Sequence, residues 1–245
     1  MSALRIERIP AAIQAMPMLR SLPAEARRQI EAIATLREYG RGDVIWNTGD
    51  AAETLTLIVK GRVKIVRHGG GTDMILEIFG VGEPVGVVAV HNRMRYPATA
   101  IALEATTLLR VPARDYLDLV ERHPELSRTL ISDMTRRYLT LTRKLVESRS
   151  HPVEARIAQL FLSLAERMGE SGEGGTTIPM RLSRQEVAEL VGTTVESAIR
   201  VLSRWGREGL LVTGQARFVI PSCERLRAVA AATPSLPPPA SDADR

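Results

Sequence analysis

The run Leu182–Leu211, LSRQEVAELVGTTVESAIRVLSRWGREGLL, decides how the rest of the chain is read. Ser183 and Glu186 stand three residues apart. At that spacing a hydroxyl takes an orphan amide proton of a helix's first turn while the carboxylate bonds back to the cap, so a helix starts here. Val187, Leu190 and Val191 place apolar side chains on one face, and Gly192 supplies the backbone freedom for a sharp change of direction. Thr193 or Thr194 then caps a second helix. In it Ile199, Leu202 and Trp205 return at three-residue steps toward a core, while Glu196, Ser197, Arg200, Arg204 and Arg207 point elsewhere. Gly209 ends it. Two capped helices about a glycine turn form the helix-turn-helix pattern, whose second helix enters the major groove with its N-terminal side chains toward base edges. Taken alone, the pattern also fits a helical hairpin with a solvated charged face, and the rest of the chain has to decide.

Almost from end to end the same run resembles the winged-helix segment of the Crp/Fnr superfamily, bacterial regulators that include the cAMP receptor protein and the fumarate and nitrate reduction regulator. The resemblance puts Glu196 and Arg200 on the family's base-reading pair. It puts Val195 where some members carry a third reader, an arginine, which is more like the fumarate-and-nitrate branch than the cAMP branch. Ile199 stands where that branch often has serine. The chemistry suits the assignment: Arg200 can fork onto guanine O6 and N7 and Glu196 can accept from a cytosine amino group, each worth about 1–3 kcal/mol of discrimination. A capping box with Thr193 is the alternative use for Glu196. Ser183, Gln185, Thr194 and Ser197 fall at helix starts, where hydroxyls and amides meet phosphate oxygens.

With 245 residues and 44% hydrophobic content the chain is long enough for two domains with real cores. Its 33 Lys plus Arg against 28 Asp plus Glu leave a net charge of +5, a modest excess that favours an anionic partner without proving one. The single cysteine, Cys223, rules out an intramolecular disulfide, a CxxC zinc site and a four-cysteine iron–sulfur cluster within one chain. The opening MSALRIERIPAAIQ lacks the apolar core of a secretory signal, and no window is apolar enough to span a bilayer. A cytoplasmic protein without a membrane role is expected.

The fold class read from the chain is α+β. After an N-terminal segment, 1–20, short β-rich runs at Val44–Trp46, Leu55–Val59, Val63–Val66, Met74–Phe79, Val85–Val90 and Ala100–Leu109 are separated by glycine turns. They predict a jelly-roll-like β-roll over 21–122. The spacing of Gly42-Asp43-Val44-Ile45, Gly49-Asp50 and Leu57–Lys64 is similar to the Crp/Fnr effector domain, a cyclic-nucleotide-binding-like roll, so the resemblance extends over nearly the whole chain. Pro124 opens a long helix, and 123–149 carries Ile131, Met134, Tyr138, Leu141 and Leu145 at alternating steps of three and four, a seam for a second copy or for its own domain. The resembling family dimerises through this helix. Ser150-His151-Pro152 breaks it, and 150–232 forms the winged helix-turn-helix domain. Gly169–Gly175 is expected as a flexible polar loop, with Gln215 and Arg217 at the wing tip. The proline-rich 233–245 is expected to be disordered.

Gly86, Val87, Pro97, Ala98 and Thr99 fall in the cassette that forms the effector pocket of cyclic-nucleotide-binding relatives. There the resemblance implies a glutamate for the ribose hydroxyl and an arginine for the cyclic phosphate, and this chain has Val87 and Pro97. Loss of the guanidinium removes one of the strongest polar contacts available to a phosphate, so the unknown small-molecule effector is expected not to be cAMP. Arg93 and Arg95 lie nearby, as a substitute pair or a solvated hairpin tip. His68, His91, His123 and His151 form no H-x-H or H-E-x-x-H pair, which argues against a metal-dependent enzyme in the roll. His91 alone is a candidate haem ligand, as in gas-sensing members of the superfamily, or a plain loop histidine. The expected protein is therefore a homodimeric, non-enzymatic transcription regulator. Its partners would be double-stranded DNA at an inverted repeat, a second copy and RNA polymerase. The rivals are a ligand-binding signalling module with a structural helix-turn-helix and a haem-based gas sensor.

Overall fold

Strand alternation in the N-terminal half builds two apolar layers from one sheet. The computed structural model describes residues 3–20, 22–69 and 73–231, the side chains of 3–8, 133, 136, 140, 141 and 143–150 excepted. The expected tail, 233–245, and the side chains of Leu141 and Leu145 lie outside the described residues. The chain divides into two units, Met1–Tyr138 and Leu139–Arg245. The first begins with α1 (Ala3–Ala15), α2 (Pro17–Arg20) and α3 (Ala24–Ile33). Strands β1 (Thr35–Tyr39), β2 (Val44–Trp46), β3 (Thr54–Lys60), β4 (Val63–Arg67), β5 (Met74–Phe79) and β6 (Pro84–Val85) follow. Then come α4 (Val87–His91), β7 (Thr99–Ala102), β8 (Thr106–Pro112), α5 (Ala113–Arg122) and α6 (Pro124–Ser150).

The strands form two antiparallel sheets ordered β1-β8-β3-β6 and β2-β7-β4-β5, the expected roll. Side chains along a strand alternate between faces. Leu55 and Leu57 of β3 and Leu109 and Val111 of β8 therefore meet the helices, in one cluster with Ile13, Met16, Leu19, Ile30 and Tyr116. Ile58 and Leu108 turn the other way and join Trp46, Val63, Val85, Tyr96 and Ala100. The N-terminal segment thus supplies part of the helical-side core.

Two expected strands are different in the structure. Val85–Val90 is a strand only at Pro84–Val85 and continues as the helix α4. The break is Gly86 at φ +70°, where a Cβ would fall 2.7 Å from the Tyr96 ring. A short apolar run has no period with which to tell helix from strand. Ala100–Leu109 is likewise two strands, with Leu103–Ala105 between them. The Arg137 side chain of α6 is 11% exposed and donates to Glu77 (2.6 Å) and Glu83 (3.0 Å). Its guanidinium lies 4.4 Å from the centre of the Phe79 ring.

The second unit contains α7 (Val153–Met168), β9 (Glu170–Gly172), β10 (Gly175–Ile178), α8 (Arg184–Val191) and α9 (Val195–Glu208). It ends with β11 (Val212–Thr213), β12 (Phe218–Ile220) and α10 (Cys223–Ala230). Its sheet is ordered β11-β12-β10-β9. The polar run expected as a flexible loop is instead the hairpin β9–β10, registered Thr177 to Glu170 and Gly175 to Gly172. Phe161 of α7 meets Phe218 of β12 edge-on at 5.0 Å, and Trp205 is wholly buried beneath α9. No described helix is long and apolar enough to cross a membrane.

Candidate nucleic-acid interface

The capping box read from the sequence is present: Ser183 Oγ accepts from the Glu186 N–H at 3.1 Å and Glu186 Oε2 accepts from the Ser183 N–H at 2.8 Å. Gly192, at φ +70°, closes α8, its N–H donating to Ala188 O. The Thr193 N–H bonds to that same carbonyl, so Thr193 still belongs to the end of α8. Thr194 is the cap of α9, its hydroxyl oxygen accepting from the Ser197 N–H at 3.2 Å. The alternative use of Glu196, a box with Thr193, is therefore not formed. Glu196 is exposed and has no hydrogen bond or ion pair among the described residues.

Ala198, Val201, Leu202 and Trp205 form the buried stripe of α9. Ile199, expected in the core, is 44% exposed. It joins Glu196, Arg200 and Ser203 on the outer face, at the i, i+3, i+4, i+7 spacing of a single helical stripe. Val195 is half-buried at the first turn. The Arg200 guanidinium rests 3.4 Å from Ser197 Oγ, which also receives the Thr194 hydroxyl at 3.1 Å. With two donors aimed at its oxygen, Ser197 keeps its own proton to donate outward. Ser183 and Gln185 are exposed on the first turn of α8, Gln185 reaching Glu189 at 2.8 Å. The structure thus gathers Ser183, Gln185, Thr194 and Ser197 at the two helix starts, where unpaired backbone N–H groups favour phosphate. Gln215 and Arg217 are exposed between β11 and β12, a turn closed by the Gly214 N–H on Arg217 O at 2.8 Å.

Two further residues hold this arrangement, and the sequence reading did not single them out. Glu154, in the first turn of α7, accepts from the Trp205 indole N–H at 2.9 Å and pairs with Arg204. Burial works against its charge, but the Trp205 and Arg204 donors outweigh it and hold the carboxyl below the usual carboxylate range. Arg156 donates to the carbonyls of Val191 (2.9 Å) and Gly192 (3.5 Å), which α8 leaves unpaired at its end. These contacts span 51 and 35 residues of sequence, so no local spacing announces them.

In the roll, Val87, Ala98 and Thr99 are buried, and Pro97 is exposed. Gly86 abuts the stacked Trp46 and Tyr96 rings, whose centres are 4.1 Å apart. Burial pushes the Tyr96 phenol up to about 12. Arg93 and Arg95 line an outer hollow of about 470 Å³ with Glu53, Met94 and Arg114, a hollow that none of those five cassette residues lines. Arg95 donates to Gly49 O at 2.7 Å. The Nδ1 atom of His91 is buried without a hydrogen-bond partner, and its ring meets Tyr116 edge-on. Among the described residues no cluster of His, Cys, Asp and Glu could hold a metal ion. Along α6, Ile131 and Tyr138 are 64% and 65% exposed, while Met134 packs partly against the helical-side core of the roll.

The geometry agrees with the comparisons to known proteins. Residues 36–123 match the cyclic nucleotide-binding domain and residues 155–229 the Crp-like helix-turn-helix domain. The Cyclic AMP receptor protein of Thermus thermophilus is 30% identical over 179 residues, 73% of this chain and 80% of that protein. FixK2 from Bradyrhizobium japonicum shares the fold with a TM-score of 0.72 at 20% identity, over 82% of this chain and 98% of its own. The c-di-GMP responsive global regulator CLP of Xanthomonas campestris gives a TM-score of 0.66 at 26% identity, over 81% of this chain and 99% of its own. Carrying both domains in this order, with a relative of that similarity along most of its length, the chain belongs to the Crp/Fnr family of transcription regulators.

Proposed function

We propose that this regulator works as a homodimer on an inverted-repeat operator, Glu196 and Arg200 of each copy reading a G·C pair in the major groove. The observation that carries the reading is the outer stripe of α9: a carboxylate with no partner among the described residues and a loosely held guanidinium, one turn apart, on a helix anchored from behind by Trp205. Ser183, Gln185, Thr194 and Ser197 position the domain on phosphates, and Val195 flanks the readers. The exposed Ile131, Tyr138 and Leu139 of α6 support a second copy as the partner of that helix. RNA polymerase is the further partner at the promoter, and no catalytic role is proposed.

Selection from random DNA should enrich an inverted repeat whose half-sites lie one helical turn apart, about 34 Å. Binding to it should weaken steeply with salt as phosphate contacts release counterions. A protein that sediments as a monomer and enriches no sequence would overturn the reading and favour a signalling module.

We further propose that the effector is not cAMP. Support comes from the apolar, buried Val87 and from Pro97, neither of which offers a side-chain hydrogen-bonding group. The nearby Arg93 and Arg95 serve the outer hollow. Millimolar cAMP should leave both the melting temperature and operator affinity unchanged; a rise in either would restore cAMP as a ligand.

A further inference from the structure

We propose that Ile199 reads the 5-methyl group of a thymine in the base pair adjoining the one read by Glu196 and Arg200. This deepens the preceding section and rests on its placement of α9 in the major groove. Ile199 is the large apolar member of an otherwise polar outer stripe, 44% exposed between the two polar readers. The core does not need it, because Ala198, Val201, Leu202 and Trp205 already fill the inner stripe. Once α9 enters the groove, this side chain has to meet a base edge.

The choice of edge follows from what the bases display. Guanine, adenine and cytosine present only acceptors and amino groups in the major groove, whereas thymine adds a methyl. A hydrocarbon pressed against an amino group or a carbonyl strips its water and returns no hydrogen bond. Pressed against a methyl, it buries apolar surface on both sides with no polar group left unpaired. Isoleucine is also stiff at χ1, so holding it in one orientation loses little side-chain freedom. Its contact is therefore favourable for thymine and unfavourable for cytosine at the same place.

The experiment uses the full-length protein and its selected operator, with each thymine replaced singly by deoxyuridine. That exchange removes the methyl and leaves every hydrogen-bonding group in place. At one thymine per half-site, beside the G·C pair, deoxyuridine should lower wild-type affinity about fourfold, the worth of one buried methyl. Ile199→Ala should bind the thymine and deoxyuridine operators equally well, with an unchanged melting temperature. In the wild type, cytosine at that position should cost more than deoxyuridine, and 5-methylcytosine should recover part of the loss. Deoxyuridine without effect at every thymine, or with the same effect on Ile199→Ala, would overturn the assignment. If instead the wild type enriches no sequence, the underlying reading of α9 falls; an enriched operator indifferent to thymine methyls removes only the role of Ile199.

Discussion

Arg200→Ala should bind the selected operator about 5–150-fold more weakly per half-site, the roughly 1–3 kcal/mol that a bidentate guanidinium–guanine contact confers. The loss should be specific. At the G·C pair the variant should discriminate less strongly, retaining only what Glu196 contributes, while preferences at other positions persist. Glu196→Ala should relax the same base pair, and because both side chains act on one pair their effects should not add. Affinity for random DNA at low salt should barely change in Glu196→Ala, since that component comes from phosphates. Both side chains are exposed, so melting temperatures should match wild type. Titration of the variants against operators mutated one pair at a time checks this; undiminished discrimination at every pair would show that other residues read the sequence.

Trp205→Ala should destabilise the DNA-binding unit by about 3–5 kcal/mol, the range for deleting a fully buried large aromatic side chain. Trp205 is 0% exposed, and its N–H is one of the donors to Glu154. Trp205→Phe keeps most of the packing and removes that donor, so a smaller loss of about 1 kcal/mol is expected. The Glu154 interaction also carries a pH signature. Because the folded carboxyl titrates below its unfolded value, its contribution is fully present above the unfolded pKa of about 4.3 and disappears as the pH falls through the lowered folded value. The stability advantage of wild type over Glu154→Gln should therefore shrink as the pH is lowered below about 5. Urea denaturation across that range measures it, and an advantage independent of pH would mean that the carboxylate charge plays no part.

The helix boundaries of the DNA-binding unit were legible because they are written in local chemistry. Ser183 with Glu186 announces a start, and Gly192 and Gly209 announce stops, each through atoms within a few residues. The choice between Thr193 and Thr194 was not legible, since both can cap and the Ala188 carbonyl decides by holding the Thr193 N–H. Ile199 was misplaced because a three-residue step drifts around a helix that turns every 3.6 residues; the buried stripe runs through Ala198 and Val201 instead. In the roll, uniform apolar character hid the switch from strand to helix at Gly86. Glu154 and Arg156 read as ordinary polar residues of an amphipathic helix, and only the tertiary structure shows their partners.

The placing of those two residues constrains how this domain can evolve. Successive residues on a helix leave its axis about 100° apart, so Glu154 and Arg156 diverge by about 200° and brace separate flanks of α7. Inserting or deleting one residue after Arg156 within α7 would rotate these braces relative to Phe161, which packs on Phe218 from the middle of that helix. Exchanges of side chain are tolerable along this stretch, but changes of length are not: the first three turns of α7 act as a fixed-gauge spacer, and lineages descending from this protein should show substitutions there without gaps.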